Sequence, residues 1–274
     1  MEFKQQIESH DLAFLDLETT GLEPARGDAI CEVGVVKIRN RTVVDTFHNL
    51  VNPKRDIPQE AYRIHGISNE TVKDAPAFEY LAQNLLGFLD GCVIFAYNIE
   101  FDAGFLEYEL KKVNHSLAQF PAIDILAMAR KTVRLEKYNL AAVAASFNIP
   151  FPKAHRALDD AFMASEVFFK LADILKEKQL ARLEDFLSLY GFSNDLFQTR
   201  KAIKVSSMQE AIDKQYFIKM RHFSSANIIE EQKIKPTRLV QENNHLYLLY
   251  QNYQQQSWRV NVNCILDVVV ISAL

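Results

Sequence analysis

Residues 12–22 read Leu-Ala-Phe-Leu-Asp-Leu-Glu-Thr-Thr-Gly-Leu, an apolar run that ends in a polar turn. The run is typical of a buried strand, in which side chains two positions apart point to the same face. Asp16 and Glu18 are therefore expected to project together. Two like charges on one face of a core strand are costly unless a positive charge lies between them, and a divalent metal ion is the simplest candidate. The alternative is an edge strand with two solvated acids.

The composition is that of a globular protein, with 274 residues of which 49% are hydrophobic and 24% charged. This length favours one medium domain plus a small one. No apolar run reaches the roughly 18 residues of a membrane span, and the first residues lack the apolar core of a signal peptide. Cys31, Cys92 and Cys264 lie far apart among apolar neighbours. They are expected to be reduced core thiols, so we predict a cytoplasmic protein with no membrane partner.

The charge is unevenly distributed along the chain. The net charge is −4, but residues 201–274 contain nine Lys/Arg and six Asp/Glu, so residues 1–200 carry −7. An acidic domain that acts on phosphate needs metal ions to bridge groups of like charge. The small basic excess of the C-terminal part is too weak to indicate nucleic-acid binding by itself.

Periodicity predicts the elements that surround the first strand. Two antiparallel strands over 29–39 and 42–50 are expected to be joined by a tight turn at Asn40 and Arg41. Further along, the pattern predicts a helix over 78–89, a buried strand over 92–96, a helix over 99–112 with Asn98 as its N-cap, a strand-to-helix unit over 121–133, and helices over 140–147 and from 157 to at least 171.

Four polar residues fall in settings that suit a site. Asp102 lies in the first turn of its helix, where it is either a ligand or an acid that stabilises the helix dipole by up to about 1 kcal/mol. His155 is expected in the loop before a helix that contains Asp160. His65 is expected in an exposed loop, where a surface histidine is favoured over a contact to substrate phosphate or sugar.

Three short motifs occur in order: residues 16–21 (Asp-Leu-Glu-Thr-Thr-Gly), 98–102 (Asn-Ile-Glu-Phe-Asp) and 155–160 (His-Arg-Ala-Leu-Asp-Asp). Together with His-Gly-Ile at 65–67, they resemble the motifs of the DEDDh (DnaQ-like) 3′→5′ exonucleases over residues 10–175 or so. Tyr97 departs from the pattern, because many members have a histidine there. The resemblance implies an α/β, ribonuclease-H-like fold, a mixed sheet flanked by helices, in a domain over residues 1–176.

The resemblance also implies roles for individual residues. Asp16, Glu18, Asp102 and Asp160 would hold two divalent cations, and oxygen ligands favour Mg²⁺ or Mn²⁺. His155 would be the general base, a role that histidine fills most often, and Asp159 would be a solvated acid beside the ligand Asp160. The residues that would contact the terminal nucleotide are Thr19, Thr20, Gly21, Leu22, His65 and Asn98.

The remainder of the chain changes pattern. A helical connector over 177–203 is followed by a β domain over 204–274, with strands predicted at 216–222, 228–236, 246–252, 257–263 and 265–271 and a turn at Asn243 and Asn244. We predict a small β-barrel-like domain. Residues 205–271 resemble a WYL domain, although Leu246 replaces the naming tryptophan and Cys264 stands where an arginine is usual. The candidate nucleic-acid contacts are Arg238, Tyr247, Trp258 and Arg259; alternatively the aromatics fill the barrel core and the arginines are solvated.

The sequence therefore predicts an exonuclease that releases nucleoside 5′-monophosphates from the 3′ end of single-stranded or frayed nucleic acid, with DNA favoured over RNA. The alternatives are a 3′-end RNA-trimming enzyme and a non-catalytic end-binding or regulatory module. The expected partners are single-stranded 3′ ends and a polymerase or repair complex.

Overall fold

The computed structural model describes residues 2–150, 155–192, 195–224, 228–243, 245–252 and 254–271, with only the backbone of residues 195–200. These residues form two five-stranded sheets. The predicted turn residue Asn244 lies outside the described residues. Within the described ranges, no helix is both long and apolar enough to cross a membrane.

The first sheet is mixed, as the resemblance implied. Its strands are β1 (Leu12–Thr19), β2 (Ile30–Arg39), β3 (Thr42–Leu50), β4 (Val93–Ala96) and β5 (Ala122–Asp124). They lie in the order β3-β2-β1-β4-β5, with β1, β2 and β3 antiparallel in succession and β4 and β5 parallel to β1. The central position of β1 excludes the alternative of an edge strand with two solvated acids.

Helices cover both faces of this sheet and extend into the C-terminal part. In chain order they are α1 (Gln59–His65), α2 (Asn69–Val72), α3 (Phe78–Leu89), α4 (Ile99–Lys112), α5 (Ile125–Thr132), α6 (Leu140–Ser146), α7 (Ala157–Glu177), α8 (Leu183–Tyr190) and α9 (Asp195–Asp213). The predicted helices at 78–89 and 99–112 match these bounds, whereas the segment around residue 64 is helical and not a loop.

The hairpin between β2 and β3 forms at the predicted position. Asn40 and Arg41 have φ values of 47° and 63°, so both central residues adopt the left-handed conformation of a type I′ turn. Asparagine adopts this conformation more readily than most residues. The turn sets the register in which Arg39 pairs with Thr42 and so makes β2 the neighbour of both β1 and β3.

Strand β1 separates two apolar clusters because its side chains alternate between the faces of the sheet. Leu12 and Phe14 belong to the cluster that contains α7, and Phe14 stacks on Phe95 with a centroid distance of 4.9 Å. Leu15 and Leu17 belong to the cluster that contains α3 and α4. The α7 side of β1 therefore continues from Phe14 into the two acids of the opening motif.

The C-terminal part forms an antiparallel sheet of β6 (Phe217–Phe223), β7 (Ile229–Glu242), β8 (His245–Gln251), β9 (Ser257–Asn261) and β10 (Ile265–Ile271), in the order β10-β6-β7-β8-β9. The sheet does not close into a barrel among the described residues, because no ladder joins β9 to β10. The sheet is open because α9 packs on its apolar face, where Met208 and Ala211 contact Ile218 and Leu248. The helix covers the apolar face that the opposite wall of a closed barrel would otherwise cover.

This second sheet is joined to the first part through α8. Asp185 is fully buried and accepts two hydrogen bonds from the guanidinium of Arg221 at 2.7 and 2.9 Å. Phe223 and Leu266 belong to the same apolar cluster as Phe186. The boundaries predicted at residues 176 and 203 thus lie in a stretch that packs against both sheets, and the division into domains stays a prediction.

Candidate active site

Three carboxylates meet above the α7 side of β1. Oxygens of Asp16, Glu18 and Asp160 lie within 4.8 Å of one another. Asp16 and Glu18 come from the same face of the strand, and Asp160 comes from the first turn of α7. The two acids of the opening motif therefore face a third acid across a space that is open to a cation.

The close approach of α7 to the sheet depends on Gly34, which pairs with Asp16 in the register of β1 and β2. A Cβ atom on Gly34 would lie 2.3 Å from the carbonyl carbon of Ala157, a distance that a real Cβ cannot adopt. The missing side chain lets the start of the helix rest on the strand beside Asp16. This contact sets the position of Asp160 over the cluster.

Asp102 approaches the cluster from α4. It is buried, and its Oδ1 accepts a hydrogen bond of 3.1 Å from the backbone N–H of Leu17, which lies between the two acids of β1. Asn98 occupies the N-cap position in the left-handed conformation, with φ of 71°, and its side chain makes no capping bond. Asp102 thus lies in the first turn of α4 and contacts β1 between the two acids, and its role as a metal ligand stays a prediction.

The electrostatics of the cluster favour a cation. Burial and the neighbouring Asp102, Glu18 and Asp160 raise the pKa of Asp16 well above its usual range. Burial, followed by the charge of Asp160, raises the pKa of Glu18 to about 8. Burial also raises the pKa of Asp160, and its Oδ1 is a buried atom with no hydrogen-bond partner among the described residues. The donor set fits divalent cations with oxygen ligands, which would remove this repulsion and satisfy Oδ1.

His155 lies in the loop that leads into α7. Its Nδ1 is 3.2 Å from Oδ2 of Asp160, and its side chain is half exposed. A ring that contacts the cluster and is open to solvent can accept a proton from a water molecule beside it. Asp159 is exposed, as expected of the solvated neighbour.

Comparison with known proteins agrees with this geometry. Residues 13–168 match the exonuclease family of the RNase_T type, more than half of the chain. The chain belongs to the exonuclease family. Membership of the DEDDh (DnaQ-like) 3′→5′ exonucleases, predicted from three motifs, is confirmed, and so is the prediction of a hydrolytic enzyme.

Two curated relatives and one solved structure illustrate the match. The exonuclease is 40% identical over 164 residues to DNA polymerase III subunit epsilon of Rickettsia felis, an alignment that covers 57% of this chain and 72% of the relative. It is 33% identical over 189 residues to DNA polymerase III PolC-type of Thermotoga petrophila, covering 69% of this chain but only 14% of that polymerase. The nuclease domain of 3′hExo, a DEDDh family member bound to rAMP, shares the fold with a TM-score of 0.54 and 16% identity, covering 62% of this chain and 94% of that chain.

The turn after β1 is held by its own hydroxyl groups. The hydroxyl of Thr19 donates to the carbonyl of Gly21 at 2.6 Å, and the hydroxyl of Thr20 accepts from the N–H of Ala29 at 3.0 Å. Leu22, in contrast, is 78% exposed. The turn is therefore a rigid support that presents one apolar side chain to solvent next to the carboxylates. Contact of these residues and Asn98 with substrate stays a prediction.

The expected exposure of His65 is wrong. His65 ends α1 and is buried, because Gly66 terminates the helix in the left-handed conformation and turns the chain back. Its Nδ1 accepts from the N–H of Ile67 at 3.0 Å, and its Nε2 faces the thiol of Cys31 at 3.9 Å. In the exonuclease this histidine packs behind the turn at Thr19, and a contact with substrate stays a prediction.

Glu32 is a residue that the sequence patterns did not identify. It is fully buried on β2, opposite Glu18, and accepts hydrogen bonds from Nε of Arg156 at 3.1 Å and the N–H of Ala157 at 3.0 Å. His48 adds a bond of 2.7 Å. Burial alone would raise the pKa of Glu32, but these bonds lower it below its usual value. The sequence does contain one indication of this role, because Glu32 is an acid between Cys31 and Val33 in a largely apolar strand.

The predicted nucleic-acid contacts of the second sheet do not form one surface. Arg238 and Arg259 both pair with Leu249, and Tyr247 is two residues from Leu249, so these three share a face. The guanidinium of Arg259 lies 5.1 Å from the ring centroid of Tyr247. Trp258 pairs with Tyr250 and lies on the opposite face, 55% exposed. The alternative in which both aromatics fill a barrel core is also wrong for Trp258.

Proposed function

We propose that this exonuclease binds two divalent cations, Mg²⁺ or Mn²⁺, and releases nucleoside 5′-monophosphates from the 3′ end of single-stranded or frayed DNA. The observation that carries the proposal is the convergence of Asp16, Glu18 and Asp160, with the buried Oδ1 of Asp160 lacking a partner among the described residues. We assign Asp102 as the fourth carboxylate, because it accepts from the N–H of Leu17 between the two acids of β1.

The residues of the chain have separate tasks in this mechanism. When bound, divalent cations supply charge neutralisation for the phosphodiester and make a water molecule more acidic. Asp16, Glu18, Asp102 and Asp160 would hold the cations. His155 takes the proton from the attacking water, and its contact with Asp160 Oδ2 keeps the ring turned toward the cluster. Arg156, the next residue, is hydrogen-bonded to Glu32 and so holds the backbone that carries His155.

The turn at residues 19–22 supports recognition of the last nucleotide. The Thr19 hydroxyl donates to Gly21 and the Thr20 hydroxyl accepts from Ala29, so both threonines hold the shape of the turn. Leu22 is placed to lie against the terminal base, and Asn98 is exposed at the start of α4. A terminal base that must leave its stack to meet Leu22 does so at lower cost from a single-stranded or frayed end.

The preference for DNA is supported by relatives that are named as DNA polymerase III subunits. A polymerase or repair complex is therefore a candidate partner. The second sheet, which α8 ties to the first part, favours an enzyme that also acts on its own. All three cysteines are free, which supports the proposed cytoplasmic location.

The test is digestion of 5′-labelled and 3′-labelled single- and double-stranded DNA and RNA with Mg²⁺, Mn²⁺ or a chelator. We expect 5′-labelled single-stranded DNA to shorten one nucleotide at a time with either cation and to remain intact with the chelator. Internal cuts would overturn the proposal. Faster shortening of RNA would favour the RNA-trimming alternative, and no release by the wild type with any cation would favour a non-catalytic end-binding module.

A further inference from the structure

A cavity of about 760 Å³ lies between the second sheet and the first part of the chain. It shares no residue with the carboxylate cluster. Its walls include Lys131 from α5, Leu189 from α8 and, from the sheet, His222, Tyr250 and Trp258. Ligand pockets in proteins occupy roughly 300–1,000 Å³ and often lie between structural units, so this cavity has the size and place of a small-molecule site.

The floor of the cavity is the face of the sheet that α9 covers elsewhere. Under α9 this face is apolar, with Ile218 and Ile234 in the core. Beyond the helix the same face becomes polar: His222 pairs with Glu230, and Gln232 lies two residues further along β7. If this end of the sheet only packed against α5 and α8, apolar side chains would be more stable there, because buried polar groups without partners are costly.

Two polar atoms of this floor lack partners. Nδ1 of His222 and the hydroxyl of Ser224 are buried and make no hydrogen bond with any described residue. His222 is only 6% exposed and lines the cavity, so its free ring nitrogen points to a ligand or an ordered water within it. Its other nitrogen lies 3.9 Å from the carboxylate of Glu230, which is itself bound by the amide of Gln232 at 3.0 Å.

The cavity is lined by two cations, Lys131 and Arg259, and by an exposed indole, and Arg259 is paired with Glu242 at 3.0 Å. The ammonium of Lys131 donates to the carbonyl of Leu189 at 2.9 Å, and no described carboxylate forms an ion pair with it. Trp258 is more than half exposed and lies beside Tyr250 on the neighbouring strand. An exposed indole next to a polar cavity is a stacking surface for a planar ring, and a lysine binds phosphate as a point charge.

We propose that this cavity binds a nucleoside phosphate, with the base against Trp258, the base edge toward His222, Glu230 and Gln232, and the phosphate at Lys131. Glu230 and Gln232 can pair with donors and acceptors of a base, which an inorganic anion lacks. The indole requires a planar ring, which a simple polyphosphate lacks. The proposal does not depend on which nucleic acid the carboxylate site degrades.

The test uses the fact that Trp258 is the only tryptophan of the chain. The full-length protein in a chelator is titrated with AMP, GMP, CMP and UMP, and with the matching nucleosides, while indole fluorescence is recorded. We expect saturable quenching by at least one nucleotide and an affinity about tenfold lower for its nucleoside, as expected from loss of one phosphate contact. The chelator keeps the carboxylate site from contributing cation-dependent binding.

Lys131→Met should weaken binding about tenfold, Lys131→Arg should restore most of it, and Lys137→Met, which removes an exposed lysine away from the cavity, should leave it unchanged. Trp258→Ala, measured by calorimetry, should also bind more weakly.

Quenching that never saturates, or equal effects of the two Met variants, would overturn the proposal. So would binding of a dT oligonucleotide without binding of any mononucleotide, which would assign the cavity to a polymer end. Retained exonuclease activity in these variants separates this result from the proposed function.

Discussion

Strands β1 and β6 are built alike and end differently. The face of β1 that packs against α7 begins with the apolar Leu12 and Phe14, and the face of β6 that packs against α9 begins with Ile218 and Met220. Each face becomes polar at the end of the region that its helix covers. On β1 the polar end consists of acids that face a third acid, whereas on β6 it is His222 facing a cavity. Cations would relieve the repulsion at the first end, whereas Glu230 is the one carboxylate among the residues that line the cavity at the second. The two ends differ in charge. The paired acids of β1 indicated a site in the sequence, whereas the single His222 of β6 did not.

The largest expected effect comes from removing one charge of the acidic end. Asp160→Asn should lower the rate of nucleotide release from 5′-labelled single-stranded DNA by about 10³-fold, because the proposed ligand and the carboxylate that contacts His155 are lost together. Asp159→Asn, one residue away and exposed, is the matched control and should keep at least half of the wild-type rate. Similar rates for the two variants would remove Asp160 from the active site.

Next in size is the buried acid that supports the site. Glu32→Ala should lower the free energy of unfolding by about 3 kcal/mol, since Arg156 and the N–H of Ala157 lose their acceptor. Urea denaturation in a chelator measures this change without a contribution from cations. Glu23→Ala removes an exposed acid and should change stability by less than about 0.5 kcal/mol. Equal stability of the two variants would show that the hydrogen bonds of Glu32 with Arg156 and Ala157 do not stabilise the fold.

Cation binding should stabilise only the first of the two strand ends. At a free Mn²⁺ concentration about 100 times the dissociation constant, we expect stabilisation by about 2.7 kcal/mol, seen as a higher melting temperature than in the chelator. Glu18→Gln should reduce this increase, because it removes one of the acids in the cluster. Lys131→Met, at the cavity, should leave it unchanged. An increase that survives Glu18→Gln in full would place the cation elsewhere.

The pH dependence of Glu32 gives a smaller effect. Its hydrogen bonds lower its pKa below the usual 4.5, so its stabilising contribution is present above about pH 4.5 and is lost as the pH falls through the lower folded-state value. The difference in unfolding free energy between wild type and Glu32→Gln should therefore shrink as the pH is lowered below about 4.5. A difference that stays constant down to acid unfolding would contradict the assigned direction of the pKa change.

The smallest effect is expected at the second strand end. Trp258→Ala should change the free energy of unfolding by less than about 0.5 kcal/mol, because more than half of the side chain is exposed. Phe186→Ala, which empties a fully buried position of the shared core, should cost about 3–5 kcal/mol in the same assay. A large loss for Trp258→Ala would make the indole a structural residue and weaken the case for a ligand.

Local patterns in the sequence predicted most of the first sheet and the acids of its site. The period of two placed Asp16 and Glu18 together, and the turn at Asn40 and Arg41 made the meander recognisable. Glu32 could not be predicted in this way, because its partner Ala157 is 125 residues away. The burial of His65 likewise depends on Cys31, a contact that no local pattern encodes.

The second sheet shows where strand patterns stop being informative. The strand at 265–271 was predicted to the residue, but five strands fit a closed barrel and an open sheet equally well. What decides between them is α9, which begins at Asp195 and covers the apolar face. The boundary predicted at residue 203 divides this helix between the connector and the β domain, so its role as the covering layer was not predicted.

The bond between Asp185 and Arg221 bears on how this protein can be divided. A chain cut after α8 would leave a fully buried carboxylate without its guanidinium and would remove Phe223 and Leu266 from the core around Phe186. A nuclease fragment made in this way would therefore have a new hydrophobic surface and an uncompensated charge at its base. The second sheet thus covers part of the nuclease core, and we expect truncation to change stability as well as any function of the sheet.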